Sequence, residues 1–315
     1  MSLLDLNGEL GRINGGLGFA VDYPYNTIRI RHAGSDSING LSATEDVVAY
    51  AHSTIARARK LRPIRPCEVD FLSVLPTHRG FGSFTSIGLA LVEGLLNLNR
   101  VGHTREDLVR IARRGGTSGV GINSYFTGKL IVDLGHECLS KPKKKAFVPS
   151  SFAWKRGPAL ALVSLQMPRW PMLLLVPKVK RVSEDEELEF FADVCPLPAD
   201  EVSRTVRLCF FGILPSVIEH DYKQFCRCVR KLREMLWKRS EIGLYDDQVS
   251  SIISFAEKVG GDAASMSSLG PLVYCFVRRN RISRLKRKLL SEFQFELLEV
   301  AYPRNMGRKV AFVSG

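Results

Sequence analysis

Between Pro76 and Leu98 the sequence passes from a loop, Pro76-Thr-His-Arg-Gly-Phe-Gly-Ser-Phe-Thr-Ser86, into a largely apolar run from Ile87 to Leu98. The stretch before it, Glu68 to Leu75, reads as a strand and the apolar run as a helix. Glycines at 80 and 82 let a backbone turn tightly and approach an anion closely. A helix opening just behind them points unpaired N–H groups and partial positive charge at that anion. Ser83, Thr85 and Ser86 add hydroxyls. The loop has neither the Gly-Lys-Ser/Thr of a Walker A motif nor the spacing of a dinucleotide fingerprint. A plain strand-to-helix turn capped by Ser83 would use the same residues, so the loop alone leaves both readings open.

Two more stretches share its grammar. Gly115 to Gly121 follows Arg113 and Arg114, and Gly260 to Gly270 contains Ser265, Ser267 and Ser268. With a formal net charge of +13, they point to a phosphate-rich ligand. Charge alone does not choose among phosphorylated metabolites, nucleic acid and anionic membranes. The basic run Arg278 to Lys288 lacks the interleaved aromatics of a base-stacking surface, so it reads as a solvated face and nucleic acid is not the expected partner. No apolar run reaches the roughly 18 residues that span a bilayer, and Met172 to Pro177 reads as a short buried strand. No membrane association is expected. Met1 to Gly8 shows no secretory pattern, which makes the cytoplasm the expected location. The seven cysteines are scattered, without a C-x-x-C pair, and read as small buried hydrophobes; a zinc site is not expected.

The remaining chain mixes elements without a regular βαβ repeat, which predicts an α+β protein. Asn14-Gly15-Gly16 reads as a turn between strands, and Asn26 to His32 as a half-exposed strand. Helices are predicted over Thr44 to Leu61 with Thr44 as N-cap, Glu106 to Arg113, Glu184 to Ala192, Glu201 to Phe210, Gln248 to Lys258 and Ile282 to Phe293. Ser216 to Trp237 reads as one long helix. Strands are predicted at Leu130 to Leu134, Leu160 to Leu165, Leu272 to Val277, Phe295 to Tyr302 and Val310 to Val313. Lys141 to Pro158, with Lys143-Lys144-Lys145, reads as a connection and divides the chain into lobes 1–148 and 149–315.

The segment Pro76-x-x-x-Gly80-Phe-Gly82-Ser83 resembles the phosphate loop of GHMP kinases, with Ser118-Gly119 and the late glycine-serine stretch as the other two motifs. Within that superfamily the chain is similar to the β-ribofuranosylaminobenzene 5′-phosphate synthases. That resemblance is carried by Leu4-Asp5-Leu6-Asn7-Gly8, Gly11-Arg12, Gly15-Gly16-Leu17-Gly18, His78 to Thr85 and Ser118 to Ile122. Gly128 to His136, Leu214-Pro215 with Glu219 and Asp221, and Met266 to Pro271 with Tyr274 continue it in order along almost the whole chain. The sequence departs from the family at Phe81 and Phe84, where smaller or aliphatic residues are usual, and at Lys129, where the family has glycine. The family's strand with Arg and His before Leu4 is not seen.

The resemblance implies a two-lobed GHMP fold with a ligand cleft between the lobes. It implies condensation of phosphoribosyl pyrophosphate with 4-aminobenzoate or 4-hydroxybenzoate, with release of carbon dioxide and pyrophosphate, in methanopterin biosynthesis. It also implies Mg²⁺ and a homodimer. GHMP kinases carry an aspartate two residues after the Ser-Gly pair, where this chain has Gly121. That favours the transferase over a GHMP-type small-molecule kinase using ATP, and a non-catalytic ligand-binding descendant stands third. The residues implied for phosphate binding are His78, Gly80, Gly82, Ser83, Thr85, Ser118 and Gly119, with Ser265, Ser267, Ser268 and Gly270 as the opposite wall. Asp133, Arg12 and Asp221 are the catalytic candidates, Arg12 toward the benzoate carboxylate or the 5′-phosphate. Asp133 reads equally as a hydrogen-bonded structural aspartate. No metal ligands are assigned.

Overall fold

A computed structural model describes residues 1–40, 43–138, 146–150, 152–153, 156 and 159–312. The chain opens with strands β1 (Ser2–Asp5), β2 (Arg12–Phe19), β3 (Thr27–His32) and β4 (Ser37–Asn39), helix α1 (Glu45–Leu61) and β5 (Cys67–Ser73). Helices α2 (Ser83–Leu98), α3 (Arg105–Ala112) and α4 (Val120–Thr127) precede β6 (Leu130–Asp133) and β7 (His136–Glu137). Next come β8 (Ala161–Leu165), β9 (Met172–Pro177), α5 (Glu184–Val194) and α6 (Ala199–Leu208). Helices α7 (Leu214–Ile218), α8 (Tyr222–Arg233), α9 (Leu236–Gly243) and α10 (Asp246–Lys258) lead to β10 (Ala263–Met266) and β11 (Val273–Phe276), and α11 (Ile282–Glu292) and β12 (Phe295–Ala301) follow.

The strands form three sheets, ordered β1-β2-β6-β8 with β7 also on β2, β3-β5-β4, and β10-β11-β9-β12. This is the mixed α+β arrangement that the sequence predicts. One hydrophobic cluster joins Leu17, Leu130 and Val132 of the first sheet to Leu174, Val176 and Phe276 of the last, with Val229 and Leu232 of α8. A second cluster packs α1, α2 and α3 on β5. Helix α2 is apolar nearly all round because Ile87, Leu89, Leu91, Leu95 and Leu96 are all fully buried. Burying each such side chain contributes about 1.5–3 kcal/mol. A third cluster lies under α10 and α11. The first sheet does not stop at residue 148: β8 pairs with β6 from Leu130↔Leu165 to Asp133↔Ala161. The C-terminal segment returns too, through backbone bonds between Arg304 and both Ala20 and Lys129.

Four expectations are corrected. Asn14-Gly15-Gly16 lies inside β2, where Asn14 (φ 71°) and Gly15 (φ 69°) distort the strand locally. The turn is earlier, at Asp5, whose Oδ1 accepts from the Asn7 and Gly8 N–H groups. The long helix Ser216–Trp237 is three helices. His220 has φ 58°, Asp221 caps α8 by accepting from Gln224 N–H, and Met235 is extended. Helical spacing of apolar residues runs through these breaks because α7 and α8 pack on one core and α9 on two others. Within Gly260–Gly270, residues 263–266 are strand, not loop. Residues 310–312 form no strand, and residue 313 lies outside the described residues, as do 139–145 of the predicted connection. Helix α4, hidden behind the glycine stretch, has no counterpart in the sequence reading.

Candidate active site

Helix α2 begins where Gly82 takes a left-handed conformation with φ 69°. A Cβ at Gly82 would meet nothing within 4 Å, so its outer side is open. The Ser83 hydroxyl donates to the Pro76 carbonyl at 2.7 Å, which closes the loop on itself and takes that hydroxyl out of ligand binding. The helix still offers its first N–H groups, which have no carbonyl behind them.

The loop is braced from behind. A Cβ on Gly270 would stand 2.2 Å from the Gly80 nitrogen, so the two backbones touch. Leu272 N–H donates to the Arg79 carbonyl at 2.9 Å, and the Ser267 hydroxyl donates to the Gly80 carbonyl at 3.0 Å. Arg79 reaches away, to the Val179 carbonyl and to an ion pair with Glu296. Ser267 and Gly270 therefore back the glycine loop instead of facing it across a cleft. Ser265 is buried within β10, and Ser268 is exposed.

In front of the loop lies a polar cluster. Arg114 Nε donates to Thr85 Oγ1 at 3.2 Å. His78 Nε2 is 3.6 Å from the Asp46 carboxylate, which Arg181 approaches at 3.5 Å and to which the Thr77 hydroxyl donates at 3.1 Å. Burial opposes charge on Asp46, but hydrogen bonds from Thr44, Thr77 and the Val47 N–H, with the Arg181 cation nearby, hold its carboxyl below the usual range. Burial and Arg181 together lower the His78 imidazole. Glu187 of α5 is pushed up to about 7 by burial and by Glu184 and Glu241, with Arg114 opposing. Gly121 sits against Thr85, its notional Cβ 3.3 Å from Thr85 Cγ2, which brings the start of α4 beside the start of α2.

The second glycine stretch is built differently. Gly119 N–H donates to Asp133 Oδ2 at 2.9 Å and Gly135 N–H to Oδ1 at 3.0 Å. Asp133 is fully buried, and burial raises its carboxyl to about 7 against the pull of these N–H groups and of Ser118. Gly16 is glycine for the same reason: a Cβ there would lie 2.6 Å from Ser118 Oγ and 2.9 Å from Asp133 Oδ2. Asp133 is thus the pin that ties this loop to β2 and β6.

His78, Gly80, Gly82, Thr85 and Ser118-Gly119 gather around the two neighbouring helix starts. Arg12 is not free to reach them, because its guanidinium donates to the Leu134 and Gly135 carbonyls, both at 2.8 Å. Asp221 is an exposed cap at the end of α8 where Tyr222 bonds Asp262, while Lys238, beyond the other end, reaches the Ser267 carbonyl. Sequence reasoning did not assign Asp46, Arg114, Arg181 or Glu187. Arg114 had a visible signal in its place before Gly115; Arg181 and Glu187 had none, since tertiary packing alone brings them in. No group of three or more His, Cys, Asp or Glu among the described residues could hold a metal ion, and no helix among them is long and apolar enough to cross a membrane.

No protein-family model matches the chain. It is 30% identical over 313 residues to beta-ribofuranosylphenol 5′-phosphate synthase of Archaeoglobus fulgidus, covering 98% of this chain and 96% of the relative. The protein of the same name from Methanothermobacter thermautotrophicus is 32% identical over 282 residues, covering 87% and 84%. Among solved structures, the homoserine kinase of Cytophaga hutchinsonii superposes with a TM-score of 0.63 at 14% identity, covering 92% and 90%. Mevalonate pyrophosphate decarboxylase of Streptococcus pyogenes gives 0.65 at 12%, covering 98% and 94%. The architecture is that of the GHMP kinases.

Proposed function

The chain belongs to the beta-ribofuranosylphenol 5′-phosphate synthase family, and on that premise we propose that it is a decarboxylating phosphoribosyltransferase of methanopterin biosynthesis. It joins phosphoribosyl pyrophosphate to 4-hydroxybenzoate or 4-aminobenzoate. The relatives' name speaks of a phenol, the product 4-hydroxybenzoate gives once its carboxylate is lost, so the hydroxy compound is the first substrate to test.

The observation that carries the reading is the start of α2, open at Gly82 and flanked by Thr85, Arg114, His78 and Arg181. Helix N–H groups and cations placed where a leaving group's charge develops are what departure of pyrophosphate requires. The C1–oxygen bond breaks and its electron pair leaves with pyrophosphate. The ring carbon bearing the carboxylate bonds to C1. The carbon–carboxylate bond then breaks, and its electrons restore aromaticity as carbon dioxide leaves. None of these steps needs a base for an acceptor hydroxyl, which agrees with Gly121 standing where a kinase would carry its aspartate.

Mg²⁺, when bound, neutralises pyrophosphate charge. It commonly takes one or two carboxylates together with substrate phosphates, and Asp46 beside the loop is the residue that fits this part. A homodimer in the cytoplasm completes the proposal.

The test is a reaction with both substrates and Mg²⁺, following pyrophosphate and carbon dioxide. Release of the two in equal amounts is the expected result. Pyrophosphate without carbon dioxide, no turnover with either benzoate, or ATP-dependent phosphorylation of homoserine or mevalonate would overturn the proposal.

A further inference from the structure

The β10–β11 ladder ends at Met266↔Val273, and residues 267–272 turn the chain back between the two strands. Ser267 N–H closes this hairpin by donating to the Leu272 carbonyl at 2.8 Å. The Ser267 carbonyl accepts from elsewhere, from Lys238 Nζ of α9 at 3.2 Å. Lys238 is 0% exposed, and its charge is met by Glu241, one turn along the same helix and 2% exposed. Two further side chains hold the same segment: Arg233 donates to the Ala264 carbonyl at 2.8 Å, and the Tyr245 hydroxyl to the Leu269 carbonyl. A buried ion pair is costly to desolvate, and apolar residues of similar volume often replace one without loss of stability. Stability is therefore a weak account of why a lysine stands at 238.

A better account lies in what the hairpin does to the glycine loop. Leu272 N–H donates to the Arg79 carbonyl at 2.9 Å, and the Ser267 hydroxyl donates to the Gly80 carbonyl at 3.0 Å. Both peptide units are trans, and in a trans unit the N–H points opposite to the C=O. Drawing these two carbonyls toward the hairpin turns the Gly80 and Phe81 N–H groups away from it. Neither N–H meets a protein acceptor among the described residues. We propose that Lys238 is a positioning residue for the phosphate loop. By holding the Ser267 carbonyl it sets the Ser267 hydroxyl under Gly80, and so presents the Gly80 and Phe81 N–H groups to the pyrophosphate of the substrate. The proposal rests on the reading of the α2 start as the pyrophosphate site. Lys238 itself is enclosed and touches no ligand; Glu241 keeps its charge tolerable in the interior.

The test removes the ion pair as a unit, so that no charge is left buried alone. Lys238→Met with Glu241→Leu should melt within about 4 °C of the parent. Its calorimetric affinity for phosphoribosyl pyrophosphate should nonetheless fall at least about fivefold. Ser267→Ala, which keeps the pair and loses only the hydroxyl, should fall by a similar factor. Because the residues act in series, adding Ser267→Ala to the double variant should cost less than about twofold more. The Gly80 and Phe81 amide resonances should move in both variants, with Arg284→Ala unchanged. Parent-like affinity in a folded double variant overturns the proposal. So does a fully additive loss, which would mean that Lys238 does not act through Ser267. If the double variant does not fold, parent-like affinity and unmoved amides in Ser267→Ala overturn it in the same way. A parent that binds no phosphoribosyl pyrophosphate removes the anion site instead; the positioning of the loop then stands if the two amides shift alike in both variants, and falls if they do not.

Discussion

Helices α2 and α4 start a few ångströms apart from glycine-rich loops of similar composition, and they dispose of their N-terminal N–H groups in opposite ways. At α4 the Gly119 N–H is consumed by Asp133, a buried carboxylate of the protein itself. At α2 the space beyond Gly82 is empty of protein, Arg114 and Thr85 stand beside it, and the nearby Asp46 carboxylate is engaged by Thr77, His78 and Arg181 and not by the helix N–H groups. The same local grammar yields an internal lock in one place and a receptive anion site in the other. What decides is whether the fold supplies its own carboxylate.

The largest way to break the contrast is to remove the lock. Asp133→Ala would leave the Gly119 and Gly135 N–H groups buried and unpaired, and should cost about 3 kcal/mol of stability in denaturant titration. The pH dependence has a fixed direction. The Asp133 carboxyl sits at about 7 in the folded chain against an ordinary 3.8, so between those values the native state holds a proton that the unfolded state has released. Stability should therefore fall as pH rises from about 4 to about 7, and Asp133→Asn should flatten that slope. A stable Asp133→Ala would mean the carboxylate is no pin, whereas a flat parent would mean that its N–H bonds offset burial in full.

Removing a cation at the other helix comes next. Arg114→Ala should weaken phosphoribosyl pyrophosphate binding at least about tenfold, near 1.4 kcal/mol, with a smaller loss at high salt. Melting should move by no more than about 2 °C. Unchanged binding would strip the α2 end of its anion-site reading.

The α2 loop was legible because its signal is local. Glycine spacing, the turn and the apolar helix behind it all fall within residues 76–98, and the structure keeps them with one correction: the helix opens at Ser83, directly after Gly82, so Ser83 to Ser86 are its first turn and not loop. The serine stretch was legible as a motif but not in its role. Its contact with Gly80 comes from residues some 190 positions away, and nothing near Gly270 in sequence says that it faces a backbone and not a ligand. Asp133 shows the same limit, since a carboxylate ending an apolar strand looks alike whether it meets substrate or N–H groups. The breaks at His220 and Met235 were invisible because helical spacing of core residues persists when consecutive helices pack on one core, as α7 and α8 do, or on adjoining ones, as α9 does.

A sharper probe of α2 is the size series at Gly82. A Cβ there meets no protein atom, so Gly82→Ala bears mainly the cost of φ 69°, roughly 1–2 kcal/mol. Gly82→Val adds bulk in the open space and should reduce phosphoribosyl pyrophosphate affinity several-fold beyond the alanine variant. Arg284→Ala, exposed on α11, is the control and should be neutral. Equal binding by alanine and valine variants would mark the loop as a turn and nothing more.

The smallest effect separates a cap from a catalyst. Asp221 was a catalytic candidate by resemblance, yet its carboxylate accepts from Gln224 N–H at 2.9 Å and stands exposed at the start of α8. Loss of such a cap costs about 1 kcal/mol. Asp221→Ala should therefore melt a few degrees lower while kcat and both KM values stay within about twofold, because a cap at the far end of α8 moves neither the loop nor its cations. Asp221→Asn, which retains a capping oxygen, should recover most of the lost stability. A fall in kcat in both variants, without a matching fall in stability, would bring Asp221 into the chemistry. It would also place the working site toward the start of α8 and leave the α2 end as the lesser of the two helix starts.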